Sequence, residues 1–341
     1  MNTSTMTTTR RTTDGTTMQA ITQDRYGEAG DVLRLEEIAR PAIGAGEVLL
    51  RVHAAGVDRG VWHLMTGLPY PVRLAGYGIR APKTRVRGRE VAGRVEATGP
   101  AVTALHVGDE VFGIADGSFA EYASARPGKL APKPANLTFA QAAAVPVSGL
   151  SALQAVRDRG RVQAGQKVLV IGASGGVGTF AVQIAKAAGA EVTGVSSTSK
   201  AEMVRSLGAD HVIDYTREDI TAGGHRYDVI LDTGGHRPLS RLREVLTPRG
   251  TLVIVGSENG GRWLGGSDRQ LRALTLSPFT SQTLTTLICS ENTQDLQALT
   301  DLIESGQVRP VIDRTYPLSQ TSEAIRYLRD GHAQGKVVVN L

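Results

Sequence analysis

The segment spanning residues 167–190, KVLVIGASGGVGTFAVQIAKAAGA, constrains this chain more than any other. A short apolar run enters a turn containing Gly172, Gly175, Gly176 and Gly178, and apolar positions then recur at helical spacing through Val177, Ala181, Ile184, Ala185 and Ala188. Strand, glycine turn and helix in that order form a phosphate cradle. In the spacing G-x-x-G-x-x-G, the missing side chains permit a tight turn at Gly172, approach of a diphosphate to backbone N–H groups near Gly175, and close packing of helix on sheet at Gly178. Gly176 adds room and Ser174 a hydroxyl donor, while the free amides and dipole of the helix start favour negative charge.

The surrounding pattern extends this unit to a full dinucleotide fold. Apolar strands are expected at 167–171, 191–195, 211–213, 228–232, 251–255 and 285–290, alternating with helices that include 176–188 and 239–246, which predicts a doubly wound parallel sheet of Rossmann type. The preceding text reads differently. Residues 18–143 break into short strands at 48–54, 87–98, 110–113 and 119–125 between glycines and prolines, so this lobe is β-rich. After 290 a helix at 293–305 leads to a closing strand at 336–341, which is expected to rejoin the first lobe. A length of 341 residues fits two such lobes.

NAD-specific folds place a carboxylate at the end of the second strand to accept ribose hydroxyls. Here that strand runs from Val192 into Ser196, Ser197, Thr198, Ser199 and Lys200. Hydroxyls and an ammonium replace the carboxylate that would repel a 2′-phosphate, so NADPH is the expected cofactor, with Glu202 as the one opposing charge nearby.

Composition narrows the remaining choices. Cys289 is the single cysteine, which excludes a disulfide framework and a Cys-rich zinc site and fits a reducing compartment. No apolar stretch reaches the roughly 20 residues of a membrane span. The cytoplasm is the expected location, with no membrane partner. Residues 1–17 are Thr-rich and read as a disordered leader, and Met18 is an alternative start. The net charge of +5 arises from scattered Arg, and aromatics make up only 4% of the chain with no basic run among them, so nucleic acid is not the expected partner.

The phrases GASGGVGTFAVQIAKAAGAEVTGV, LGADHVIDYT, YDVILDTGG and GHAQGKVVVNL resemble the zinc-independent quinone oxidoreductase branch of the medium-chain dehydrogenase/reductase superfamily, and the likeness extends over nearly everything after Met18. It implies a GroES-like, β-rich catalytic domain formed by 18–143 plus 291–341, an NADPH-binding Rossmann domain at 144–290, a cleft between them and a homodimer. It also implies phosphate contacts at Ser174, Gly175, Gly176 and Val177, 2′-phosphate contacts at Ser197, Lys200 and Tyr215, and a nicotinamide side lined by Ser151, Gly234, Gly256 and Ser257.

The resemblance further bears on metal. Zinc-dependent relatives carry Gly-His-Glu where this chain has Gly88-Arg89-Glu90, and an early Cys where it has Ala55-Gly56-Val57, so no metal is expected. His53, His63 and His106 remain as isolated histidines. Hydride transfer without a Lewis acid suits acceptors whose conjugation spreads the incoming charge, namely quinones and α,β-unsaturated carbonyls. The stretch from Gly56 to Tyr70 is expected to wall the reacting ring. Tyr70 lies near the place of a proton-donating Tyr in related enoyl reductases, and Asp58 stands where quinone reductases show Asn. If ionised, Asp58 disfavours an anionic intermediate, so catalysis through it needs a raised pKa or an outward rotamer. Two alternatives stay open: a 2-enoyl-thioester reductase, and an NADPH-binding structural or RNA-binding protein with little turnover.

Overall fold

The computed structural model describes residues 16–256, 261–331 and 333–341. Its Rossmann half is a six-stranded, wholly parallel sheet of β8 (Lys167–Ile171), β9 (Glu191–Ser196), β10 (His211–Asp214), β11 (Tyr227–Asp232), β12 (Leu246–Ile254) and β13 (Thr283–Thr286). The strand order β10-β9-β8-β11-β12-β13 reverses direction between β8 and β11. Doubly wound sheets bind ligands at that switch point, beyond the carboxyl ends of the strands. Helices cover both faces, which is why strands such as KVLVI read as unbroken apolar runs.

The β-rich half comprises a two-stranded ribbon of β1 (Thr17–Thr22) and β2 (Arg34–Ala39) beside a larger sheet. That sheet contains β3 (Val48–Val57), β4 (Glu90–Thr98), β5 (Glu110–Ile114), β6 (Tyr122–Ala125), β7 (Leu130–Pro132), β14 (Ile312–Pro317) and β15 (Lys336–Asn340). The order is β14-β15-β3-β4-β5-β7, with β6 paired to β3. Alternation of buried and outward residues in β3 gives way to continuous burial from Ala54 to Val57, where Ala54 joins the core shared with the other half and Ala55 and Val57 pack in a cluster of the β-rich half itself. One apolar cluster joins Ala54, Ala92, Phe112 and Val338 of the β-rich sheet to Val168, Val170 and Phe180 of the Rossmann half, so the two share a core.

Most expected elements fall within one to a few residues of their observed bounds, and the differences have local causes. The sixth Rossmann strand is Thr283–Thr286 instead of 285–290. Its ladder ends where Leu287 N–H donates to Ile254 O (3.0 Å), and the Gln154 side chain then captures both backbone groups of Ser290, at 2.8 and 2.9 Å. The ribbon β1–β2 and the strand β14 were not anticipated. Described structure begins at Thr16, so β1 takes in Thr17, a residue expected to belong to the leader.

Gly178 shows how tightly the first helix sits on the sheet. A Cβ there meets the Gly172 carbonyl oxygen at 2.0 Å and Ala173 Cα at 2.8 Å, both backbone atoms with little freedom to move. Gly178→Ala is expected to cost about 1–3 kcal/mol, as overpacking does in rigid sites. Denaturant unfolding measures this, and an unchanged midpoint contradicts the packing described.

Candidate active site in the interdomain cleft

The glycine turn is shaped by the contacts that forbid side chains. Gly172 takes φ +77°, and a Cβ there falls 2.6 Å from Thr233 Oγ1, which itself donates to the Ile171 carbonyl at 2.7 Å. Gly175 then opens the helix Gly176–Ala187. From the β-rich half, the tail reaches across to this turn: Gly335 N–H donates to Ser174 O at 2.9 Å, and Gly175 and Gly335 form a parallel bridge.

Between the halves lies a cavity of about 640 Å³, within the size range of small-molecule and cofactor sites. Ser151, Gly172, Ser174, Gly175, Gly176, Val177, Lys200, Tyr215, Gly234, Gly256 and Asp58 all line it, so the structure brings most of the expected residues together. Gly178 sits beneath the turn. Ser196 occupies the wall in place of Ser197, whose hydroxyl is 3.4 Å from that of Ser199. Ser257 lies outside the described residues.

Tyr70 is not a wall residue of this cavity. Its ring packs edge-on against Trp263 (5.1 Å between centroids), the Arg73 guanidinium stands 5.0 Å from its centre, and its N–H donates to Arg262 O at 2.9 Å. These contacts tie the 68–77 loop to the segment that follows residue 260.

At one end of the cavity, Lys200 Nζ donates to the carbonyls of Ala333 (3.0 Å) and Gly331 (3.4 Å). Burial pushes its pKa down, with Asp313 pulling the other way. Tyr215 is half exposed beside it. Sequence reasoning missed His236 and Arg237, which follow β11 and line the same cavity; Arg237 is paired with Asp219 at 2.8 Å. A cation directly after the fourth strand was the available signal.

The other end is organised by buried charge. Glu90 is fully buried at the start of β4 and Lys336 nearly so at the start of β15, and Lys336 Nζ donates to Glu90 Oε2 at 2.5 Å. Glu90 Oε1 accepts from Val147 N–H at 2.9 Å. Burial raises the Glu90 pKa, and Lys336 and the Val147 amide oppose that rise. Gly56 carries no side chain because a Cβ would approach Glu90 Oε2 to 2.4 Å. Arg89, where zinc-dependent relatives carry His, hydrogen-bonds Glu291, which also accepts from Lys129 Nζ at 2.8 Å. Burial opposes the Arg89 charge, but Glu291, Asp58 and Tyr77 together hold its pKa above the ordinary value.

Asp58 caps the helix Arg59–Thr66. Its Oδ1 accepts from Val61 N–H at 3.1 Å, while Oδ2 is buried and receives no hydrogen bond from the described residues. The outward rotamer that an anionic intermediate would favour is therefore not adopted. The isolated histidines stay apart: His53 stacks on Phe139, His63 Nδ1 is 2.8 Å from the Leu68 carbonyl, and His106 is exposed. Among the described residues no three His, Cys, Asp or Glu side chains are grouped to hold a metal ion, and no helix is long and apolar enough to cross a membrane.

Comparison with known proteins places this architecture. Residues 44–135 match the family model for the alcohol dehydrogenase GroES-like domain, and residues 207–339 that described as zinc-binding dehydrogenase. The chain is 30% identical to the chloroplast envelope quinone oxidoreductase homolog of Arabidopsis thaliana, over 95% of this chain and 99% of that protein. The chain belongs to the quinone oxidoreductase-like, zinc-independent branch of the medium-chain dehydrogenase/reductase superfamily. It is also 34% identical to the chloroplastic NADPH-dependent alkenal/one oxidoreductase of the same plant, over 94% of this chain and 79% of that one. The solved quinone oxidoreductase from Coxiella burnetii superposes with a TM-score of 0.82 at 28% identity, covering 95% and 99% of the two chains. In this member of the superfamily Arg89 and Glu90 are tied into ion pairs, one of which fastens the tail to the catalytic sheet.

That pair generates a stability prediction. Lys336→Met leaves Glu90 buried without its cation and is expected to cost about 3–5 kcal/mol, as breaking one side of a buried pair does. Adding Glu90→Gln is expected to recover part of the loss. A double-mutant cycle by denaturant unfolding reads the coupling, and additivity within about 0.5 kcal/mol contradicts it.

Proposed function

We propose that the protein transfers a hydride from NADPH to quinones or α,β-unsaturated carbonyl compounds with no metal ion at the reacting centre. The observation that carries this reading is the single cavity that runs from the glycine turn and Lys200 to Asp58 and Ser151. The chain's own residues fit the cofactor: Gly175 and Gly176 leave space for a diphosphate where side chains would intrude, with a Cβ on Gly176 falling 3.0 Å from Ser148 Oγ and 3.2 Å from Lys336 Cδ. Bound NADPH supplies the hydride. Ser174, Gly175, Gly176 and Val177 hold the diphosphate at the helix start, and Lys200, Tyr215 and Ser197 favour the 2′-phosphate because no carboxylate ends β9. Ser151, Gly234 and Gly256 flank the nicotinamide.

Walls of Val57, Val147 and Val255 keep the reacting end apolar, which excludes water and strengthens the fixed charges around it. A conjugated acceptor needs little beyond this positioning, because the arriving negative charge spreads over its own π-system. Of the two residues proposed to act on the acceptor, Asp58 lines the cavity, whereas Tyr70 is packed on Trp263 outside its lining. The free edge of β13 supports a homodimer formed by strand pairing, and the single cysteine supports a reducing compartment such as the cytoplasm.

Steady-state assays with menadione and with an alkenal test this reading. NADPH oxidation is expected with both and at lower efficiency with crotonyl-CoA; absence of turnover with either contradicts it, and a preference for the thioester favours the enoyl-thioester alternative. Lys200→Ala is expected to reduce the preference for NADPH over NADH by about tenfold or more, the worth of one charge-assisted contact. For Tyr70→Phe, a fall in kcat with KM unchanged supports proton donation by Tyr70, and unchanged kcat leaves it the packing role against Trp263.

A further inference from the structure

We infer that the surface formed by the loop 71–84 and the segment 261–266 docks on an anionic lipid bilayer, its apolar side chains entering the interface and its cations meeting lipid phosphates around them. This stands apart from the reaction proposed above. Leu74 is 75% exposed, Ile79 67% and Trp263 74%, and Tyr77 and Leu264 are exposed beside them in the chain. The two segments also meet in space: Tyr70, just before the loop, packs on Trp263 and donates its N–H to Arg262 O, and a Cβ on Gly265 falls 2.4 Å from the Pro69 ring.

The exposure is fixed by the backbone. Tyr26 Oη donates to the carbonyls of Gly78 (2.6 Å) and Tyr77 (3.1 Å), Lys83 N–H donates to Tyr77 O at 3.0 Å, and Arg73 Nε donates to Gly67 O at 2.9 Å. Gly76 and Gly78 take φ +106° and +111°, conformations that turn the chain while Leu74, Tyr77 and Ile79 stay outside. A single exposed apolar residue is ordinary, but several large ones held together mark an interaction surface.

Charge selects the partner. Residues 71–84 and 261–266 carry Arg73, Arg80, Lys83 and Arg262 and no Asp or Glu. Among the described residues the charged ends of Arg80, Lys83 and Arg262 have no ion-pair partner, and the carboxylates beside the loop, Asp24 and Glu36, are already held by Arg85. A two-fold contact between copies sets these cations against one another, which disfavours a second copy as the occupant. A bilayer suits both features: Trp and Tyr settle at headgroup level, Leu and Ile reach the acyl boundary, and guanidinium and ammonium groups meet phosphate. Such contact lies in the interface plane and needs no spanning helix, so the expectation of no membrane partner, drawn from the lack of a span, does not cover it.

Vesicle flotation with the full chain tests this, comparing phosphatidylcholine alone with phosphatidylcholine mixed with phosphatidylglycerol at low and high salt. Binding to the mixed vesicles is expected to be at least about tenfold tighter and to weaken with salt, since each cation near an anionic surface adds about fivefold. Leu74→Ser with Ile79→Ser, and separately Arg80→Glu with Lys83→Glu, are each expected to lower that affinity about tenfold or more, whereas Arg249→Glu, at an exposed cation outside the patch, stays within about twofold of wild type. Trp263 reads insertion without a variant: the emission of the two tryptophans is expected to move to shorter wavelength on mixed vesicles and to be quenched by brominated acyl chains. Equal binding to both vesicles, binding to neither, an affinity untouched by the Leu74 and Ile79 changes, or an equal loss in Arg249→Glu overturns the inference. Self-association that requires Ile79, without vesicle binding, assigns the patch to a second copy and overturns it as well.

Discussion

The attachment of the C-terminal tail to the glycine turn is the contact on which the rest of this cleft depends. Gly335 bonds Ser174 and bridges Gly175, and the next residue, Lys336, enters the buried pair with Glu90. Through two adjacent residues the tail thus grips the glycine turn of the Rossmann half and the first residue of β4 in the β-rich half. A buried ion pair contributes little net stability compared with an apolar pair, but it is strict about geometry, since either partner alone is heavily penalised. Here it joins β4 and β15 within the β-rich half, while Glu90 reaches the Rossmann half through the Val147 N–H and Gly335 reaches it through the glycine turn.

Around the reacting end the protein has built an alternation of charge where zinc-dependent relatives hold an ion and its ligands. Lys336 and Glu90 form one pair; Arg89, Glu291 and Lys129 form a chain reaching toward solvent. Asp58 stands between them with one oxygen committed to a helix cap. Fixed charges of this kind are already oriented before a substrate arrives, so they cost no reorganisation during reaction. They leave a cleft that is apolar at its walls and polar at a few chosen points, which suits a conjugated carbonyl compound.

How much of this was legible in the sequence follows from the distance over which each feature is determined. The glycine turn was readable because strand, turn and helix are consecutive and each glycine answers a steric demand within that unit, as Gly178 does against Gly172. The Lys200 end of the cavity was readable for the same reason, apart from Ser197, since the wall position at the end of β9 is one residue earlier. Tyr70 was placed by analogy along the chain, but its ring is held by Trp263, a partner from another domain that no local pattern announces. The Glu90–Lys336 pair joins residues 246 positions apart. Both residues stood in segments already recognised, yet nothing in either segment says that the two meet. The early end of the sixth strand likewise depends on Gln154, a long-range side-chain contact.

The proposed reaction has a nicotinamide dinucleotide held on the glycine turn deliver its hydride without a metal ion. A single-turnover experiment addresses it most directly: protein exhaustively treated with chelator is loaded with one equivalent of NADPH and mixed rapidly with menadione. The bound nicotinamide absorbance is expected to fall to completion at the same rate as in untreated protein. Oxidation that appears only after zinc is restored, or NADPH that does not bind, contradicts it.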